Sequence, residues 1–300
     1  MISSVVSSSF FYSQLASDTF DVINLSVSII PITLPLSIVT SVGLVYNLAM
    51  DILTKTPTTN GILDPHSVYE VIRLEDGKPQ FLPEHYERIR NSLRSIGRTV
   101  PFTYDDLADS IAKLAEEGHV MDHNVRLEVA LDDKTTLFPS PTHYPTDSQY
   151  ETGVDVGLFE GERKNPHLKM LDYELRSATD EAIHKQDLYE VLLVDRYGNI
   201  TEGSRSNVFF IKNGEVYTPP LHQVLPGITR GKILDIISEK GNTVHKEPIP
   251  ADEIGHFDAA FICGTSPKVL PIRSIGDVHF DVDDAILRDI MSWYDEALTS

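Results

Sequence analysis

The stretch ITEGSRSNVFFIKNGEVYTPPLHQVLPGITRGKIL, Ile200 to Leu234, holds a carboxylate, a hairpin and a helix start in that order. Glu202 stands at the end of a strand-like run, just before the polar turn Gly203-Ser204-Arg205-Ser206. Asn213-Gly214 is a hairpin dipeptide, and Pro226-Gly227 precedes a helix that the pattern starts at Thr229 and ends at Gly241. Free amides at such a start bind anionic groups, aided by the helix dipole. Taken singly these signals are weak: a lone glutamate is usually a surface acid, and by pattern alone Gly227 with Thr229 as N-cap reads first as a plain turn into a helix.

Outward from this stretch, VDVGLF and YEVLLVDR read as strands, and YELRSATDEAIHKQ reads as a helix after a loop holding Lys164 and Lys169. Strands near TVHKEPI, AAFICG and VLPIRSI follow, and DDAILRDIMSWYDEAL is a closing amphipathic helix. Toward the N-terminus, SVYEVIRLEDGKPQFL is a hairpin about Asp76-Gly77. PEHYERIRNSLRSIG is a helix with Pro83 in its first turn and Gly97 as its stop. A second helix is capped by Thr103 and ended by Gly118, and VRLEVAL turns through DDK into TTLF.

These elements predict an α+β chain. The expected division is an atypical segment over 1–60, a small N-terminal domain over 61–140, a Pro- and Ser-rich connection over 141–153, and a strand-rich C-terminal domain over 154–300. Residues 22 to 50 carry no charge, a length compatible with a membrane span. Pro31, Pro35 and the period-two alternation from Ile30 to Ile38 favour buried strand instead, and a signal peptide would need basic residues ahead of Lys55.

The 300 residues carry a net charge of -20, with 45 acids against 25 bases, which argues against a nucleic-acid partner. One cysteine, Cys263, forms no internal disulfide or Cys-rich metal site and suits a reducing, cytoplasmic setting as a small buried side chain. Zinc, nucleotide-triphosphate and dinucleotide motifs are absent, so no metal is expected. His66 and His85 stand isolated in the sequence and read as structural or surface histidines. Lys169, bracketed by Leu168 and Leu171, is either a snorkelling lysine or one whose amine burial makes nucleophilic.

Taken together, Lys169, TEGSRSNVFF, TPPLHQVLPGITR and GTSPKVLPI resemble the class IV, or fold-type IV, pyridoxal-phosphate enzymes, from about Ser67 to Leu298. That family includes branched-chain aminotransferases, D-amino-acid aminotransferases and aminodeoxychorismate lyases. The resemblance implies pyridoxal 5'-phosphate bound between a small N-terminal and a larger C-terminal domain, in a homodimer. It assigns Lys169 as the catalytic lysine that bonds the cofactor and Glu202 as the partner of its ring nitrogen. Arg88, Ile228, Thr229 and Thr265 fall where the family holds the phosphate. Thr265 with Ser266 faces the substrate carboxylate, Tyr69 lines the substrate pocket, and Arg126 falls where branched-chain enzymes keep an arginine near substrate. By the residues alone, Tyr69 is equally a strand core residue, and Arg126 also reads as a strand-edge arginine in an ordinary ion pair.

Tyr173 resembles a tyrosine that bonds the cofactor's phenolic oxygen, but it stands one residue short of the branched-chain spacing. LDPHSVYE also replaces the family's Gly-Asp-Gly turn, and DDK is shorter than the loop by which D-amino-acid enzymes hold the α-carboxylate. The expectation is a transaminase acting on an amino acid, branched-chain or similar, and a 2-oxo acid, without membrane association. The alternatives are an aminodeoxychorismate lyase and a catalytically impaired structural homologue.

Overall fold

The computed structural model describes Val22–Ile23 and residues 50–57, 62, 64 and 66–299. The alternation expected from Ile30 to Ile38 lies outside the described residues, as does nearly all of the uncharged run 22 to 50. Among the described residues, no helix is long and apolar enough to cross a membrane.

Six strands form a first sheet: β1 (Val22–Ile23), β2 (Asp51–Leu53), β3 (Val68–Glu75), β4 (Lys78–Pro79), β5 (Asn124–Val129) and β6 (Thr135–Pro139), in the order β1-β2-β6-β5-β3-β4. Asp76 and Gly77, at φ 50 and 73, both occupy the left-handed region that a two-residue hairpin requires. Helices α1 (Leu82–Ser95) and α2 (Tyr104–Glu117) cover one face of this sheet. Thr103 caps α2 as expected: its hydroxyl accepts from Asp106 N at 3.1 Å, and the Asp106 carboxylate accepts from Thr103 N at 2.8 Å.

Strand alternation gives β3 and β5 two different faces. Val68, Ile72, Leu74, Val125, Leu127 and Val129 enter the core beneath α1 and α2. Tyr69, Val71, Arg126 and Glu128 share the opposite face, where Tyr69 pairs with Glu128 and Val71 with Arg126.

The chain then passes through the short helix α3 (Asp147–Thr152), inside the expected connection. The second sheet holds β7 (Val154–Glu160), β8 (Glu190–Val194), β9 (Asn199–Gly203), β10 (Asn207–Lys212) and β11 (Glu215–Thr218). It is completed by β12 (Val244–Lys246), β13 (Ile249–Pro250), β14 (Ala259–Gly264), β15 (Lys268–Ile275) and β16 (Val278–His279). Their order is β12-β11-β10-β14-β15-β7-β8-β9-β13, with β16 beside β15. Helices α4 (Tyr173–Gln186), α5 (Ile228–Glu239) and α6 (Ala285–Thr299) complete the α+β architecture.

The run Val208 to Ile211 is apolar throughout because both faces of β10 are covered. Val208 and Phe210 join Ile262 and Leu270 on one side. Phe209 and Ile211 lie on the other, with Ile233 and Ile237 of α5 and Leu287 and Ile290 of α6. Each fully buried side chain of this size contributes about 1.5–3 kcal/mol. Both ends of α5 differ from the sequence expectation: it stops at Glu239, short of Gly241, and Gly227 is its N-cap, so Thr229 lies within the helix and is buried.

Candidate active site

Lys169 lies in the segment between β7 and α4, packed against the first sheet. Its carbonyl accepts from Tyr69 N at 3.0 Å, its amide donates to Ser92 Oγ at 3.4 Å, and the next residue, Met170, bridges to Val68. The loop is therefore pinned to β3 and α1 on either side of the lysine. Lys169 keeps some exposed surface, but its ammonium is packed 4.9 Å from the centre of the Tyr69 ring. Burial, the largest influence, pulls the amine down to about 8, against the opposing effect of Tyr69.

Tyr69 is buried, and burial alone would raise its phenol. Lys169, Arg176, Arg126 and Arg163 together outweigh that and bring it down to about 7. Arg126 stacks over the same ring at 3.9 Å and donates from Nε to Glu128 Oε1 at 2.5 Å. Its NH2 group is buried without a hydrogen bond.

Glu202 is the penultimate residue of β9 and is 2 % exposed. Its Oε2 accepts from Leu225 N at 3.2 Å. Its Oε1 lies 3.0 Å from Arg163 Nε, but the angles admit no hydrogen bond, so the contact is an ion pair and both atoms keep unspent bonding capacity. Burial raises the Glu202 carboxyl above its usual range, opposed by Arg163 and the Leu225 amide.

The opposite end is built on the start of α5. Asn207 Nδ2 donates to Leu225 O at 3.1 Å, and Gly227 N to the same carbonyl at 2.7 Å, which sets the turn into the helix. Gly227 supplies no capping side chain, so the first amides of α5, at Ile228 and Thr229, have no capping acceptor. Thr229 Oγ1 accepts from Tyr294 OH at 3.5 Å. A concave space here is lined by Arg73, His85, Ile228, Thr229, Thr265 and Tyr294.

Arg88 reaches this end through NH1, which donates to Pro226 O at 3.4 Å. The rest of its fork is spent on Glu70: Nε to Oε1 at 2.7 Å and NH2 to Oε2 at 2.6 Å. His85 Nδ1 lies 2.7 Å from Glu70 Oε2. The histidine that looks isolated in the sequence is a buried partner of this carboxylate; residues 85 and 88 are one helical turn apart, on one side of α1. Glu70 is on the core face of β3, where burial would raise its carboxyl, yet Arg88 and then His85 hold it at about 2. His85 is pulled below its usual range, chiefly by burial.

The turn Thr265-Ser266 crosses between the sheets. Thr265 Oγ1 donates to Val71 O at 3.4 Å, Ser266 Oγ accepts from Asn124 Nδ2 at 2.7 Å, and Ser266 O accepts from Arg73 NH1 at 3.4 Å. A second concave space is lined by Tyr69, Arg163, Asp172, Arg176, Thr179 and Ser204. Tyr173, at the first turn of α4, is 59 % exposed and is not among its walls.

Sequence reading missed Glu70, Arg163 and Arg176. Period-two alternation could have flagged Glu70, a charge in an otherwise apolar face of β3. Arg163 and Arg176 carry no comparable signal, because the groups they meet come from distant stretches of chain.

Residues 67–275 match the family model for amino-transferase class IV. The probable branched-chain-amino-acid aminotransferase of Thermotoga maritima is 29% identical over 222 residues, covering 71% of this chain and 79% of that protein. The D-alanine aminotransferase of Bacillus licheniformis is 28% identical over 223 residues, covering 69% and 78%. The crystal structure of the T.th. branched-chain amino acid aminotransferase complexed with N-(5'-phosphopyridoxyl)-L-glutamate superposes with a TM-score of 0.69 at 21% identity, covering 80% of this chain and 87% of that one. The last shows likeness of fold; the match over residues 67–275 reaches further, and by it the chain belongs to the class IV aminotransferase family.

Proposed function

We propose that this protein is a pyridoxal-phosphate-dependent transaminase that moves an amino group between an amino acid, branched-chain or similar, and a 2-oxo acid. The observation that carries the reading is the pairing of two ends across one site: a lysine with its amine lowered to about 8, and a buried carboxylate with an oxygen that lacks a hydrogen bond. Pyridoxal phosphate fits these residues. A protonated ring nitrogen would satisfy Glu202 Oε1, and the uncapped start of α5 would suit a phosphate. The family match and the ligand in the related T.th. structure support the same cofactor.

When bound, pyridoxal phosphate supplies an electron sink for the pair released at the substrate α-carbon. Lys169 Nζ would hold the cofactor, and as a neutral amine it would take the substrate α-proton and return it. An amine titrating near 8 is partly neutral at neutral pH, as that base must be. Glu202, with Arg163 beside it, would favour a protonated ring nitrogen. Arg88, Ile228, Thr229 and Thr265 would hold the phosphate. Thr265 and Ser266 orient the substrate carboxylate, while Tyr69 and Arg126 wall the pocket. Arg126, with its free NH2 group, is placed to read a side-chain carboxylate on glutamate.

We read the cofactor as lying between domains of residues 61–140 and 154–300, joined over 141–153. The contacts of Thr265 with Val71, of Ser266 with Asn124 and of Arg88 with Pro226 support that reading. A homodimer is suggested by family membership. A cytoplasmic setting is suggested by the single, buried, free thiol.

The deciding assay offers the holoenzyme leucine or glutamate and follows conversion of the cofactor to its pyridoxamine form. Conversion that is abolished in Lys169→Ala is the expected result. Failure of every amino donor, with pyruvate released from aminodeoxychorismate instead, overturns the transaminase reading in favour of the lyase.

A further inference from the structure

Glu190 opens β8, is 3 % exposed and takes no part in the chemistry proposed above. A carboxylate so deeply buried is costly unless its lone pairs are met by donors. Four donors meet it. Oε1 accepts from Val191 N at 2.9 Å and Ser204 Oγ at 2.7 Å; Oε2 accepts from Arg205 N at 3.1 Å and Ser206 Oγ at 3.1 Å.

Three of the four donors belong to the turn directly after Glu202. That turn closes on itself through Gly203 N to Ser206 O at 2.8 Å, and onto β8 through Ser204 N to Val191 O at 3.0 Å. It has no slack: a Cβ at Gly203 would overlap Ser206 Oγ. The Ser204 carbonyl accepts from Arg163 NH2 at 3.2 Å and from Arg176 NH2 at 3.3 Å. Arg163 is the cation that lies against Glu202. Glu190 thus reaches Glu202 by two routes, the covalent turn and the Ser204–Arg163 contact.

We propose that Glu190 is a positioning residue for the reaction: it fixes the Gly203–Ser206 turn and, through the Ser204 carbonyl and Arg163, holds the Glu202 carboxylate in place. The proposal rests on the reading of Glu202 as the partner of the ring nitrogen. The wiring also dictates the side chain. Each oxygen takes one backbone amide and one hydroxyl. Hydroxyls can rotate to act as acceptors, but backbone amides cannot. A glutamine at 190 must therefore aim its NH2 group at Val191 N or Arg205 N, donor against donor.

The test is a double-mutant cycle of Glu190→Gln with Glu202→Gln, run on holoenzyme at saturating pyridoxal phosphate and normalised to bound cofactor. Two readouts are followed: kcat, and the pH midpoint of the bound-cofactor absorbance. Glu190→Gln is expected to lower kcat about tenfold or more, by leaving a buried donor unmatched, with KM for the amino donor unchanged, and to shift the midpoint. In the Glu202→Gln background the same change is expected to add nothing to either readout. Equal effects in both backgrounds, or none in the parent, overturn the proposal. If Glu202→Gln alone leaves both readouts at parental values, the reading of Glu202 fails and this one with it. Retained Glu202→Gln effects without the coupling sink only the role of Glu190. Should Glu190→Gln not fold, Ser206→Ala takes its place, removing one donor to Oε2 while keeping both amides. A smaller loss, again confined to the parent background, is then expected, and an uncoupled loss or none overturns the proposal.

Discussion

The Lys169 ammonium lies 4.9 Å from the centre of the Tyr69 ring, and the two groups titrate next to each other, the phenol at about 7 and the amine at about 8. Each holds the other in its charged form, so they titrate as a pair. Between those two values the stable arrangement is phenolate beside ammonium; above them the amine is neutral.

Tyr69→Phe removes the strongest influence holding the Lys169 amine up against burial. The amine pKa then falls below about 8, and neutral, reactive amine is present at lower pH. The pH dependence of the rate at which cofactor-free protein takes up pyridoxal phosphate checks this: its midpoint is expected to move to lower pH. A midpoint that stays or rises contradicts the pairing.

Glu70 sets an acid limit on stability. Its carboxyl is held at about 2 in the folded chain against an ordinary 4.5. A depressed carboxyl contributes stability that is complete above the unfolded value and is lost as pH falls through the folded one. Glu70→Gln leaves the Arg88 charge buried without its partner and is expected to cost about 3–5 kcal/mol near neutral pH. The gap between parent and variant should narrow as pH falls below about 4.5 toward about 2. Denaturant melts at neutral and acidic pH measure it; a gap independent of pH contradicts this account.

Gly227→Ala tests the turn into α5. Its φ of -64 suits any residue, so backbone strain is not at issue. The added Cβ would overlap Asn207 Oδ1, part of the amide that holds Leu225 O. Cofactor affinity is expected to fall about tenfold or more, and the cofactor-free protein to lose about 1–3 kcal/mol of stability, since the Asn207–Leu225 bond that the new Cβ strains is present without cofactor. Titration by absorbance gives the affinity, and parental affinity contradicts the packing argument.

Local signals in the sequence located the elements closely. The helix expected over YELRSATDEAIHKQ is α4, Tyr173–Gln186, and the Thr103 cap and Asp76-Gly77 hairpin stand where expected. The sequence pattern puts the start of α5 one residue late, because a threonine is the stronger N-cap by type while the chain uses Gly227 and leaves Thr229 in the helix. Cys263 is buried and free, as a small apolar side chain would be, and burial pushes its thiol up to about 12. What the sequence hid are charge pairs closed by the fold. Glu70 and Arg88 are joined through strand and helix packing, and Arg163 meets Glu202 across the second sheet; nothing in the spacing of either pair encodes the contact.

The peptide between Glu202 and α5 acts as a ruler. Leu225 N is tied to Glu202, and α5 is capped only two residues later at Gly227, so the interval from carboxylate to helix start is set by a dipeptide with no spare length. One residue inserted there would break either the tie or the cap. The exposed bend at Leu221 lies outside that interval and can change in length freely. Variation in this fold is therefore expected to gather before Leu225, where it can reshape the surroundings of the site without altering its span.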